Sequence, residues 1–202
     1  MNDSVFNPDK QEMDLSSKVV VGLERLSEVF KVLLWEKAKV VGLSPIQIQL
    51  LIFIANHKPE LCNVSHLARE FNLTKPTISD AVKVLDKKGF IVKDHSSADS
   101  RSYTIYLSES GKQLIGELSA FTDPLYNQVD KLDKAELEGV FKTLSELIYK
   151  LNRAGVLQVQ RTCFGCRFYE KQGDQAYCNL LKKDLLETDI RLDCPEFEEK
   201  LV

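Results

Sequence analysis

The sequence predicts a mainly α-helical fold with one small β hairpin and a separate cysteine-rich module at the C-terminal end. Three observations carry that reading. Apolar residues recur at helical spacing through most of the first 154 positions, and one pair of short alternating segments interrupts them. Four of the five cysteines fall in the last fifth of the 202 residues.

Taken in order, residues 1–13 are polar, contain no apolar leader segment and are expected to be flexible. A long helix is expected over 14–40, where Leu23, Leu26, Phe30 and Leu33 share a face, with Gly42 ending it. Ser44-Pro45 restarts a helix, because serine suits the N-cap and proline the first turn; Ile46, Leu50 and Ile54 follow at helical spacing. Pro59 lies just past its end. Residues 64–71 form a short amphipathic helix, and Thr74 opens another that runs to Lys88 and stops at Gly89. Two β-branched, alternating segments, 90–93 and 102–107, flank a polar centre and predict a hairpin with a long tip. Helices over 109–121 and 134–154 come next. The second carries Leu137, Phe141, Leu144, Ile148 and Leu151 as a heptad-like seam. The chain therefore divides into an N-terminal segment 1–13, a helical domain 14–156 and a cysteine module 157–202.

Composition narrows the function. No apolar run is long enough to cross a bilayer, so a cytoplasmic protein with no membrane partner is expected. The net charge is −3, but residues 162–202 hold 9 acidic and 6 basic side chains and carry all of it. Between Arg69 and Lys93 the balance reverses to 6 basic against 3 acidic, a modest excess compatible with nucleic acid. There is no phosphate loop, no dinucleotide fingerprint and no Ser–His–Asp candidate, so an enzyme is not expected.

Two short helices, a tight turn and a hairpin make a winged helix-turn-helix, flanked here by long helices suited to dimerisation. The second short helix must bury one face and offer the other to a major groove. Ile78, Ala81, Val82 and Leu85 form the buried stripe; Thr77, Ser79, Asp80 and Lys83 lie opposite. Three stretches, LSPIQIQLL (43–51), VSHLAREFNLTKPTISDAVKVLDKKGFI (64–91) and ADSRSYTIYLSESG (98–111), resemble the MarR type of winged-helix repressors. Asp99, Arg101, Leu107, Ser108 and Gly111 fit that family's wing pattern.

The resemblance implies a homodimer on double-stranded DNA, setting two recognition helices into successive major grooves of a near-palindromic operator. It implies DNA contacts at Thr74, Lys75, Thr77, Ser79 and Lys83, a wing arginine at Arg101 entering the minor groove, and Asp99 orienting it. Asp80 departs from the family, where arginine is common; it either accepts from a cytosine or caps a neighbouring basic residue. A small aromatic effector is a further implied partner. Trp35 and Phe30 could line its cavity, but core packing is the duty expected of them.

The cysteines run Cys163-x2-Cys166-x11-Cys178-x15-Cys194. In a reducing compartment such a cluster reads as a metal site rather than a disulfide framework, with Cys163, Cys166, Cys178 and Cys194 as ligands. The alternative is a set of idle thiols in an acidic tail, against which the clustering argues. Phe164, Phe168, Tyr169, Tyr177 and Phe197 are expected as an apolar shell. A single Cys-x2-Cys pair and the Cys194-Pro195 ending tilt the choice toward an iron–sulfur cluster over zinc. The segment also resembles small four-cysteine cluster domains attached to glycyl-radical enzyme systems. The leading reading is thus a repressor whose DNA binding the metal site modulates; a zinc-stabilised adaptor or a cluster-carrying redox protein is the alternative. Cys62 stands outside the cluster and is expected to be a small buried hydrophobe rather than a redox thiol.

Overall fold

The computed structural model describes residues 4–96, 103–173 and 175–200. A short helix α1, Pro8–Met13, precedes the long α2, Leu15–Val41. The Asp14 carboxylate accepts from the Ser16 and Ser17 amides to start α2, and Gly42 at φ 65° ends it in the left-handed region that glycine adopts without penalty. The chain then turns by 92° into α3, Pro45–Asn56. Ser44 and Gln47 cap α3 reciprocally, each side chain meeting the other's backbone amide.

Helix α4, Val64–Glu70, is capped by Asn63, and α5, Lys75–Lys87, by Thr74. Between them Asn72 takes a positive φ of 51°, which lets the chain turn sharply. The buried stripe of α5 is the expected one: Ile78, Ala81, Val82 and Leu85. It packs into a core with Ile48, Leu50 and Leu51 of α3, Leu67 of α4, and Leu118. Full burial of side chains this size stabilises by about 1.5–3 kcal/mol each.

The wing pairs β1, Ile91–Asp94, with β2, Thr104–Leu107, antiparallel, with Ile91 opposite Leu107 and Asp94 opposite Thr104. It is fixed at its base. The Ile105 amide donates to the Cys62 carbonyl at 2.8 Å, and Lys93 reaches Asp86 of α5 at 2.7 Å. Ser108 caps α6, Glu109–Ser119. Gly111 in the first turn of α6 lies so close to the Phe90 carbonyl oxygen that a Cβ there would collide with it.

Helix α7, Asp123–Val129, was not expected; α8, Lys134–Arg153, was, and a capping box of Asp133 and Glu136 opens it. Its seam is only partly covered within one chain. Leu137, Phe141 and Ile148 are half-buried, while Leu144 and Leu151 are exposed, as are Leu23, Leu26 and Phe30 of α2. Trp35 is 55% exposed, so core packing within the chain is not its duty or that of Phe30, 44% exposed.

The C-terminal module holds a three-stranded antiparallel sheet absent from the sequence reading. Its strands are β3, Tyr169–Gln172, β4, Gln175–Cys178, and β5, Lys183–Leu185, in that order. Tyr169 pairs with Cys178 and Cys178 with Lys183. Isolated bridges, Arg161 with Asp193 and Cys166 with Glu199, close the module on itself. Among the described residues no single helix is long and apolar enough to cross a membrane.

Candidate nucleic-acid interface

Helix α5 presents its polar face outward. Thr74, Lys75, Thr77 and Lys83 are exposed and Ser79 is half-buried. The Thr74 hydroxyl accepts from the Thr77 amide at 3.3 Å and shares a 2.8 Å hydrogen bond with the Thr77 hydroxyl. The two threonines therefore form one preorganised polar corner at the helix N-terminus, where free amides also favour a phosphate oxygen. Further along, Lys83 Nζ lies 2.9 Å from Asp80 Oδ1, one helical turn away, with both side chains well exposed. Of the two roles open to Asp80, the structure has it pairing with Lys83. That pairing raises the lysine above its ordinary value. Asp99 and Arg101 lie outside the described residues.

A strap that sequence reasoning missed runs from α8 to the cysteines and crosses the helix-turn-helix. Gln158 Nε2 donates to Asn72 Oδ1 at 2.9 Å, on the turn between α4 and α5. Arg161 then clasps α4: Nη1 and Nη2 donate to the two Glu70 carboxylate oxygens at 2.7 and 3.0 Å. The same guanidinium donates through Nε and Nη2 to the Asp193 carboxylate at 2.5 and 3.1 Å. His57 joins from the end of α3, stacked on Phe53 at 3.7 Å and 2.7 Å from Asp193 Oδ2. Lys58 Nζ adds an outer pair to Glu196 at 3.0 Å.

Burial alone would raise the Glu70 carboxyl, but His66 beside it and the paired Arg161 outweigh that and bring it down to about 2. Asp193 is likewise lowered: burial opposes, and Arg161 and His57 prevail. His66 is not the surface residue its place on a short helix suggests. The strap half-buries it, and Nε2, fully enclosed, lies 3.5 Å from Glu70 without a hydrogen bond.

Beyond the clasp, Cys163, Cys166, Cys178 and Cys194 all line one cavity of about 30 Å³. Of the expected aromatic shell, Phe168 and Tyr169 share that wall; Leu180, Leu181 and Leu185, which the aromatic pattern passed over, add to it, and Arg191 and Glu196 close it. Phe164 packs edge-on against Tyr169, while Phe197 lines the larger cleft between the module and α3. Burial pushes the Cys163 thiol up, and the three neighbouring cysteines push it the same way. Among the described residues no group of three or more His, Cys, Asp or Glu side chains is already drawn together as a metal cage. Cys62 is elsewhere, 1% exposed in the helical core, and burial, followed by the charge of Glu60, pushes its thiol up to about 11. That is a poorly reactive thiol, as expected of a buried one.

With this geometry, likeness to known proteins can be placed on particular elements. Residues 41–102 match the MarR family. That span covers α3, the helix-turn-helix and the first strand of the wing, which together form a MarR-like winged helix. A 98-residue stretch is 26% identical to the HTH-type transcriptional regulator SarZ of Staphylococcus haemolyticus, covering 48% of this chain and 66% of that protein. SarZ of Staphylococcus epidermidis is 23% identical over 100 residues, covering 50% of this chain and 67% of its own length. Among solved structures, Staphylococcus aureus MepR in a DNA complex superposes with a TM-score of 0.57 at 21% identity, over 65% of this chain and 97% of MepR. A MarR transcriptional regulator from Methanosarcina mazei Go1 gives 0.56 at 18% identity, over 67% and 97%. These structures share the MarR-like fold and leave about a third of this chain unmatched.

Proposed function

We propose that the chain is a cytoplasmic, sequence-specific DNA-binding regulator that acts as a homodimer and represses by occupying a near-palindromic operator. The observation that carries this reading is α5 itself, a helix with one face fully buried and the other exposing Thr74, Lys75, Thr77 and Lys83 beside a firmly based wing. Such a helix can fill a major groove while its lysines meet phosphates. The MarR-like fold, and SarZ and MepR as relatives of known kind, support it. The exposed apolar faces of α2 and α8 support a second copy as partner, since a single chain leaves Leu23, Leu26, Phe30, Leu144 and Leu151 in water.

The cysteine module sets the operator affinity. Arg161 precedes Cys163 by two positions and Asp193 adjoins Cys194, so the segments that carry cysteines also hold Glu70 of α4. A shift in those segments reaches α4 directly, and a ligand of the module changes affinity by as much as it prefers one arrangement over the other. The test uses purified full-length protein and duplexes spanning its own promoter region. A dimer that binds one fragment at least tenfold more tightly than scrambled duplex, with an affinity that falls steeply as salt rises, is the expected result. Indifference to all fragments at low salt overturns the reading. An affinity that stays fixed when Arg161→Ala opens the clasp removes the role of the module alone.

A further inference from the structure

We propose that Cys163, Cys166, Cys178 and Cys194 together bind one thiophilic metal centre as a tetrathiolate. The four residues come from three separate segments yet converge on a single cavity, whose remaining wall is Phe168, Tyr169, Leu180, Leu181 and Leu185 with Arg191 and Glu196. Cys163 and Cys166 flank a tight turn closed by a 2.9 Å bond from the Cys166 amide to the Cys163 carbonyl. Cys178 ends β4 opposite Tyr169, and Cys194 sits on the returning segment, its amide bonded to the Arg161 carbonyl at 3.1 Å. The Arg191 amide donates to Cys163 Sγ at 3.2 Å. An amide aimed at sulfur favours a thiolate and is typical of the outer shell of thiolate metal sites.

A second observation points the same way. Among the described residues of 157–200 only Thr162, Cys166, Leu185 and Ile190 are buried. A core that small does not hold a three-stranded sheet by apolar burial alone, whereas a bound metal links all its segments at once. The cavity of about 30 Å³ suits one ion. The four thiols line the cavity without yet being drawn together as a cage, so zinc would close them onto one ion, whereas an iron–sulfur cluster needs more room than the cavity has. In either case each thiol passes its proton to solvent as its sulfur binds, so uptake releases acid. The site stands independently of whether the chain binds DNA.

The test is made on the full-length chain, prepared metal-free under anaerobic reducing conditions. One portion receives Zn²⁺ alone, the other ferric and ferrous iron in equal amounts with sulfide, the oxidation level of a four-iron cluster, so that no further oxidant is needed. Uptake of one equivalent of zinc as colourless protein, or of iron and sulfide in equal amounts as brown protein, is the expected result, and the two arms identify the centre. Cys178→Ser with Cys194→Ser should weaken uptake at least a hundredfold, and Cys62→Ser should leave it unchanged. To separate loss of ligands from loss of fold in the double variant, alkylation of the wild-type chain provides a second readout. The metal should protect all four cysteines of the module from alkylation together. Failure of both arms to load, or loading with the four thiols still freely alkylated, overturns the proposal.

Discussion

Arg161 and Glu70 are 91 positions apart and form a two-bond fork, Nη1 to Oε2 at 2.7 Å and Nη2 to Oε1 at 3.0 Å. Both side chains are largely withdrawn from water, 11% and 18% exposed. The guanidinium is shared with Asp193, so a single side chain pairs with two carboxylates from different segments. Removing it by Arg161→Ala leaves both acids without their cation, at a cost on the order of 2 kcal/mol. Denaturant unfolding should register that loss, and Glu70→Gln in the same chain should recover part of it.

Acid should loosen the clasp in a defined window. Glu70 is held near 2 in the folded chain against an ordinary value of 4.5, so its contribution is complete above about 4.5 and disappears as pH falls toward 2. The full effect is about 2–3 kcal/mol. Thermal midpoints measured from neutral to acid pH should fall more in wild type than in Glu70→Gln, which has no carboxylate to protonate.

On α5, Asp80 holds Lys83 at 2.9 Å, and in the proposed DNA complex it would compete with phosphate for that lysine. Asp80→Ala should therefore tighten binding to operator and scrambled duplex alike, several-fold at low salt. Lys83→Ala should weaken both and reduce the salt slope by about 1. Fluorescence anisotropy on the two duplexes reads both effects, and a loss of specificity without tightening in Asp80→Ala would instead mark Asp80 as a base reader.

Phe30, 44% exposed on α2, belongs to the apolar face that a single chain leaves in water. Phe30→Glu should leave helical content intact and shift sedimentation from dimer to monomer. Operator affinity should drop at least tenfold with it, because two half-sites are then no longer bound by one particle.

Gly111→Ala should destabilise by about 1–3 kcal/mol through overpacking against the Phe90 carbonyl, not through backbone strain, since the residue is helical. Chemical denaturation checks the magnitude. Gly116→Ala, in the same helix with open space around it, should be neutral or stabilising.

What could be read from the sequence was what local chemistry decides. Ser44-Pro45, Thr74 and Gly42 announce helix ends because a cap needs only its own neighbours. The Ile78–Leu85 stripe was visible because burial on one helix face imposes a period. The strands β3 to β5 were hidden, since YEKQ and QAYC are mostly polar or small and their pairing is set by the module's closure. The strap was hidden for another reason: Gln158 with Asn72 and Arg161 with Glu70 are single polar pairs across the chain, and such pairs leave no periodic trace. The half-burial of His66 is hidden in the same way, because Arg161, which lines the same cleft, comes almost a hundred residues later.

The Ile105 amide on the Cys62 carbonyl, with Lys93 on Asp86, welds the β ribbon to the helices behind it. A winged unit built this way behaves as one casting: a push on any of its helices is handed on whole to the ribbon and is not absorbed at a joint between them.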